Sequence, residues 1–164
     1  MFDLKIKHSF TEVRSIMPEN LTTVGWREWC SLPDLGLPPI KAKIDTGAKT
    51  SCLHAFNVET FTKENTEWIR FGMHPNQNDT DTEIYCEAPV FDQRDVTDSG
   101  GHKEKRYVIQ TTLVLAQQQW PIELTLTNRD TMRFRMLLGR TAMEQKIIVN
   151  PGKSFLLAKP DGKL

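Results

Sequence analysis

The strongest constraint on this chain is a rhythm of short apolar runs, each ended by turn-forming residues. The clearest run places Trp120, Ile122, Leu124 and Leu126 on one face and Glu123, Thr125 and Thr127 on the other. That period of two belongs to a β-strand with one face buried. The same reading gives strands at 23–29, 40–44, 51–58, 67–73, 83–91, 106–116, 120–127, 133–138, 147–149 and 154–158. Between them lie turn signals such as Leu32-Pro33-Asp34-Leu35-Gly36, Asn76-Gln77-Asn78-Asp79 and Asn150-Pro151-Gly152. Helical pattern is confined to 141–146. Many short strands with nine Gly and nine Pro among them predict an all-β barrel or sandwich.

Composition narrows the function. The 164 residues carry 21 Lys plus Arg against 21 Asp plus Glu, so the formal net charge is zero. A strongly basic nucleic-acid module is excluded on bulk charge, and no nucleic-acid partner is expected. Residues 1–20 are polar and weakly patterned and read as an N-terminal extension, with one domain over 21–164. No apolar leader and no run of about 18 apolar residues is visible, so no membrane partner is expected. Cys30, Cys52 and Cys86 are odd in number and form no C-x-x-C pair. They read as reduced thiols, which makes a cytoplasmic location the expectation. Local charge is clustered: Asp79, Asp81, Glu83 and Glu87 in one stretch, and Arg129, Arg133, Arg135 and Arg140 in another. Solvated strand faces explain both clusters. A basic groove for an acidic peptide or nucleic acid is the sharper alternative.

Chemistry concentrates at Ile40-Lys41-Ala42-Lys43-Ile44-Asp45-Thr46-Gly47-Ala48. A strand that ends in Asp-Thr-Gly sets a carboxylate at a rigid edge. The threonine hydroxyl can bond to backbone, and the glycine lets another backbone approach. The three-residue match is weak alone, since a strand ending in an Asx turn gives the same letters. A second segment adds weight: Leu137-Leu138-Gly139-Arg140, leading into Thr141-Ala142-Met143-Glu144.

Together these two segments resemble the retropepsins, the single-lobe aspartic proteases typified by retroviral proteases. Residues 24–29, 41–55, 120–130 and 132–140 extend the resemblance to the bacterial retropepsin-like endopeptidases (RimB-like). Members of that family are also labelled ATP-dependent zinc proteases, and some are encoded beside RimK-type glutamate ligases. The resemblance implies a closed acid-protease barrel with one short helix after the Leu-Leu-Gly strand. It implies that Asp45 is catalytic and that Leu137, Leu138 and Gly139 support its loop. An aspartic protease needs two carboxylates sharing one proton, which raises the pKa of one of them. This chain has one Asp-Thr-Gly, so a homodimer with Asp45 facing its symmetry mate is the expectation. Thr46 would brace the paired loops, Gly47 would leave room for substrate backbone, and Ala48 would pack beneath the loop.

Retropepsins carry flaps over the bound peptide. Here the candidate flap is a loop over 92–106 with Ser99, Gly100 and Gly101 at its tip. In the viral pattern an acidic residue follows Asp-Thr-Gly-Ala and pairs with the arginine after the Leu-Leu-Gly strand. This chain has Lys49 there, so Arg140 needs another partner, with Glu28 as the guess. Lys49 becomes a candidate substrate contact and hints at an anionic substrate such as a glutamate-rich tail.

A zinc site is not expected. H-E-x-x-H is absent, and no pair among His8, His54, His74 and His102 has ligand spacing. Cys52 and His54 share a strand face but lack a third ligand. No Walker-type loop appears, and no cofactor is expected. The leading reading is an aspartic endopeptidase acting on a peptide or protein. The alternative is a non-proteolytic binding or regulatory protein tied to a RimK-type ligase or its product. A metal-dependent hydrolase is third.

Overall fold

The computed structural model describes residues 20–129 and 132–160. In chain order the strands are β1 (Thr22–Val24), β2 (Arg27–Cys30), β3 (Ile40–Ile44), β4 (Ser51–His54), β5 (Phe56–Lys63) and β6 (Thr66–Met73). They continue with β7 (Ile84–Pro89), β8 (Asp92–Thr97), β9 (Lys103–Leu115), β10 (Gln118–Thr127), β11 (Met136–Leu138) and β12 (Ile147–Val149). The helix α1 (Arg140–Met143) follows β11 directly. The fold is all-β with one short helix after the Leu-Leu-Gly strand, as the sequence implied.

Seven strands form the main sheet in the order β2-β3-β11-β4-β10-β9-β8. Its central feature is β11, which lies between β3 and β4 although it comes far later in the chain. It runs parallel to β3, with Leu138 beside Ile44, and antiparallel to β4, with Leu137 beside Cys52. The loop from β3 to β4 must therefore pass over the end of β11. That loop contains Asp45. A three-stranded sheet β5-β6-β7 and a two-stranded parallel pair β1-β12 complete the fold.

Alternation dictates the core. Ile40, Ala42 and Ile44 of β3 point inward, and Lys41 and Lys43 point out. They meet Leu53, Ile109, Leu113, Leu124, Met136 and Leu138, all fully buried. A fully buried aliphatic side chain of this kind contributes roughly 1.5–3 kcal/mol.

Several expectations are corrected. The main sheet is not a continuously closed barrel. Its edge strand β2 is followed by one isolated bridge, Ser31 to Val114, with N–H···O bonds of 3.0 and 2.9 Å in the two directions. The segment 154–158 is not a strand: the Leu156 and Leu157 N–H groups donate to the buried Glu28 carboxylate at 2.8 and 3.3 Å. The run 23–29 breaks because the Gly25 N–H also turns to Glu28, at 2.8 Å. The run 51–58 breaks after His54, where a register shift follows Phe56 and Asn57 adopts φ of +48°. In 133–138 only the last three residues are strand. Residues 92–97, read as loop, form β8. The N-terminal extension lies outside the described residues, apart from Asn20.

Candidate active site

The Asp45 loop is held by backbone bonds that β11 and α1 supply. The Asp45 N–H donates to the Leu138 carbonyl at 2.9 Å. On the far side of the loop, the Arg140 N–H donates to the Ala48 carbonyl at 2.9 Å and the Thr141 N–H to that of Lys49 at 3.0 Å. Within the loop, the Gly47 N–H donates to the Asp45 carboxylate at 3.0 Å, and the Ala48 N–H to the Asp45 carbonyl at 3.3 Å. The carboxylate is therefore aimed by its own turn while the turn is fixed from below.

Gly139 makes this packing possible. A Cβ there would sit 2.6 Å from the Thr50 carbonyl carbon and 2.9 Å from the Ser51 nitrogen. The Gly139 N–H donates to the buried Ser51 hydroxyl at 3.0 Å, and Ser51 in turn accepts at its carbonyl from Thr125, at 3.1 Å. The Arg140 guanidinium closes the frame by donating to the Thr46 carbonyl at 2.9 Å. That contact corrects the expected Glu28 partner: Glu28 is buried elsewhere, taking three backbone N–H groups. An arginine without an acidic neighbour has used a loop carbonyl instead.

Asp45, Gly47, Ala48 and Lys49 line one wall of a groove of about 810 Å³. The opposite wall is a hairpin of β8 and β9. Its residues Arg94, Asp95, Val96, Thr97, Asp98 and Ser99 face the groove. Asp98 organises the tip: its carboxylate accepts from the Gly100 and His102 N–H groups, both at 2.9 Å. Its other oxygen takes the Arg129 guanidinium at 2.8 Å, tying the tip to the chain after β10. The His102 N–H bond, with the Gly100 N–H and the charges of His102 and Arg129, holds the Asp98 carboxyl below the usual carboxylate range, against the opposing effect of burial. Lower down, Arg94 bridges Asp92 at 2.7 Å and Glu123. Hydrogen bonding to these two carboxylates pushes Arg94 further up, so it stays charged, and the Arg94 bond holds Asp92 low.

The loop assigned as candidate flap is thus a strand pair joined by the five residues 98–102, and Ser99, Gly100 and Gly101 are at its tip. Asp45, Thr46, Gly47, Ala48 and Lys49 lie together on the loop opposite, with Leu137, Leu138, Gly139 and Arg140 beneath or beside them. Arg94, Asp98 and Glu123 were not singled out from sequence. Their signal is the alternation of Arg94 and Val96 inward on β8, which the polar composition of that strand hides.

Cys52 lines the groove floor, where the Arg106 guanidinium reaches its sulfur at 3.8 Å. Burial pushes the Cys52 thiol up, and Arg106 partly opposes this. Cys30 and Cys86 are pushed up to about 12 by burial. His54 stacks with His74 and accepts the Arg129 N–H at 3.3 Å. Among the described residues no group of three or more His, Cys, Asp or Glu is placed to hold a metal ion. No described helix is long and apolar enough to cross a membrane. His8 lies outside the described residues.

A lone Asp-Thr-Gly loop, seated on a Leu-Leu-Gly strand between β3 and β4 and faced by a hairpin, defines the single-lobe acid-protease class. Comparison with known proteins narrows this. Residues 23–160 match the RimB-like family, described as the retropepsin-like aspartic endopeptidase RimB. The chain belongs to that family. A crystal structure of a protein of unknown function from Legionella pneumophila shares the fold, with a TM-score of 0.70 at 27% identity. The match covers 82% of this chain and 97% of that one. A probable alpha-L-glutamate ligase of Parasynechococcus marenigrum is 55% identical over 134 residues, which are 82% of this chain and 29% of the relative. One from Shewanella pealeana is 47% identical over 143 residues, 87% of this chain and 31% of the relative. The chain thus spans under a third of the length of these curated relatives.

Proposed function

We propose that this chain is one half of an aspartic endopeptidase, completed by a second copy that brings its own Asp45 across a twofold axis. The reading rests on one observation above all. A half-buried aspartate stands at the wall of a peptide-sized groove, on a loop locked from beneath by Leu138, Gly139 and Arg140. Rigid placement is what a carboxylate dyad requires, because both groups must hold one water between them. The ionised member takes a proton from that water. The protonated member donates to the scissile carbonyl and stabilises the tetrahedral adduct. Gly47 has no neighbour to meet at its Cβ position except the Asp45 carboxylate, at 3.2 Å, which leaves the loop open to substrate backbone. The β8–β9 hairpin serves as the flap, and Lys49 contacts the substrate.

Asp45→Asn tests this directly. The variant keeps the loop hydrogen bonds and removes the shared proton. Peptide cleavage falls by at least about 10²-fold while the oligomer is unchanged by light scattering. Cleavage that survives the substitution overturns the mechanism.

A second reading draws on the relatives. They are named for glutamate ligation, and this chain matches under a third of each. A domain of this fold that regulates a RimK-type ligase, or binds its product without cutting it, accounts for that. Its signature is a wild-type protein that cleaves no member of a broad peptide library yet changes the rate of such a ligase.

A further inference from the structure

The outer face of β2 and β3 carries a cluster that the groove does not use. Arg27 and Trp29 alternate with buried Glu28 and Cys30 on β2, and Lys41 and Lys43 alternate with buried neighbours on β3. The register sets Arg27 directly across from Lys43, and Trp29 across from Lys41. Like charges in that relation destabilise a sheet. The C-terminal segment adds Phe155 and Lys159. The Arg27 guanidinium lies 4.5 Å from the Trp26 ring centre and 4.9 Å from that of Phe155. Lys41 and Lys159 lie 5.2 and 4.2 Å from the Trp29 ring.

Among the described residues, none of Arg27, Lys41, Lys43, Arg133 or Lys159 pairs with a carboxylate. The groove arginines Arg94, Arg106 and Arg129 all do. Lys41 reaches only the neutral Gln77, at 3.4 Å. Asp79, on the same loop, spends its carboxylate on its own turn, accepting from Asn76, Asp81 and Thr82. Among the described residues, cations without a carboxylate partner are thus collected on one face. That face is continuous with the groove. A hollow of about 310 Å³ is lined by Trp26, Lys43, Met132, Arg133, Phe134 and Leu137, and both Met132 and Leu137 also line the groove.

We propose that this face is an exosite for an acidic polypeptide that runs out of the groove in extended form. Charge complementarity sets the class of partner. Spacing supports it, since Lys41 and Lys43 are two residues apart on a strand, about 6.7 Å. Alternate side chains of an extended peptide have that same repeat. The aromatic rings argue against single-stranded nucleic acid, which needs open ring faces for its bases. Here Trp26, Trp29 and Phe155 carry the protein's own cations against their rings. The proposal deepens the peptidase reading and rests on it only for the path of the substrate, because binding is measured without cleavage.

The test uses the full chain and a fluorescein-labelled glutamate octapeptide, followed by anisotropy. Wild type and Asp45→Asn bind the octapeptide alike, and both weaken as salt rises. The double variant Lys41→Glu/Lys159→Glu binds about tenfold more weakly, the size expected for reversing two exposed charges. The same double variant cleaves a short uncharged peptide at the wild-type rate. Equal octapeptide affinity in wild type and double variant overturns the exosite, as does no binding to wild type. An oligoribonucleotide that displaces the octapeptide at lower concentration also overturns it. If Asp45→Asn still cleaves but the charge reversal weakens binding, the peptidase mechanism fails and the exosite stands.

Discussion

The two walls of the groove are held by different physics. On one side, the Asp45 loop is fixed by backbone hydrogen bonds to β11 and α1 and by a glycine packed against backbone. On the other, the β8–β9 hairpin is exposed, highly charged and latched by Arg94 and Arg129 ion pairs. Backbone bonds in a buried setting change little with salt or pH. Ion pairs at half-exposed sites do change, and each contributes only about 0–1 kcal/mol. The Asp45 wall is therefore built to stay and the facing wall to move. This is the division of labour a lidded peptide groove needs.

The sharpest way to break that contrast is to make one substitution in both walls. Gly139→Ala puts a Cβ against the Thr50 carbonyl group and the Ser51 nitrogen, at 2.6 to 2.9 Å. The Thr50–Ser51 peptide cannot yield without moving the start of β4, so the expected loss is about 3 kcal/mol of stability. Urea unfolding measures it, and the variant is expected to lose peptide cleavage as well. A midpoint close to wild type would mean that the cradle is softer than its contacts imply.

Much of the Asp45 wall was legible in the sequence, and the reason is local. Asp45-Thr46-Gly47 and Leu137-Leu138-Gly139 are contiguous strings whose spacing along the chain is set by one crossing of β11 over the loop. The clean alternation of β3 and β10 gave their inward faces directly. Of the facing wall, the tip Ser99-Gly100-Gly101 was singled out in the sequence and the strand β8 was not. On β8 only Arg94 and Val96 turn inward, and the strand between them is polar because both its faces see water. Such a strand carries no hydrophobic period to read. The barrel closure failed for a related reason. A single bridge at Ser31 joins β2 to β9, and the C-terminal segment follows buried Glu28 instead of a strand neighbour. Long-range capture by one carboxylate leaves no periodic mark. The outer basic face was hidden by arithmetic, since a net charge of zero averages its cations with carboxylates elsewhere.

Gly101→Ala is the matched change in the hairpin. Gly101 adopts φ of +82°, yet nothing lies within 4 Å of the position its Cβ would take. The cost is conformational only, about 1 kcal/mol, and it falls on the tip. Global stability by urea should shift by less than a third of the Gly139→Ala effect. Opening of the tip, read by amide exchange at Gly100 and His102, should speed up. If instead both alanine variants unfold the whole protein equally, hairpin and cradle are one cooperative unit and the contrast collapses.

The smallest effect is the most discriminating, because acid should loosen the hairpin tip and leave the backbone bond that seats the Asp45 loop on β11. Asp98 is held low mainly by the N–H groups of His102 and Gly100, with help from the charges of His102 and Arg129. A carboxyl held lower in the folded state contributes stability above its unfolded range and loses it as pH falls through the folded value. The tip should therefore keep its structure from neutral pH down through the ordinary carboxylate range and loosen only below it. Protonated Asp98 would then give up both turn N–H groups and Arg129 together. Amide chemical shifts of Gly100, Gly101 and His102 should titrate as one set, and Asp98→Asn should abolish that step. The Asp45 N–H donates to the Leu138 carbonyl, which takes up no proton in this range, so its exchange protection should be unchanged across the step. A loss of protection at Asp45 that tracks Gly100 would show that the latch reaches the Asp45 loop, and would assign the hairpin a part in positioning the carboxylate rather than only in covering it.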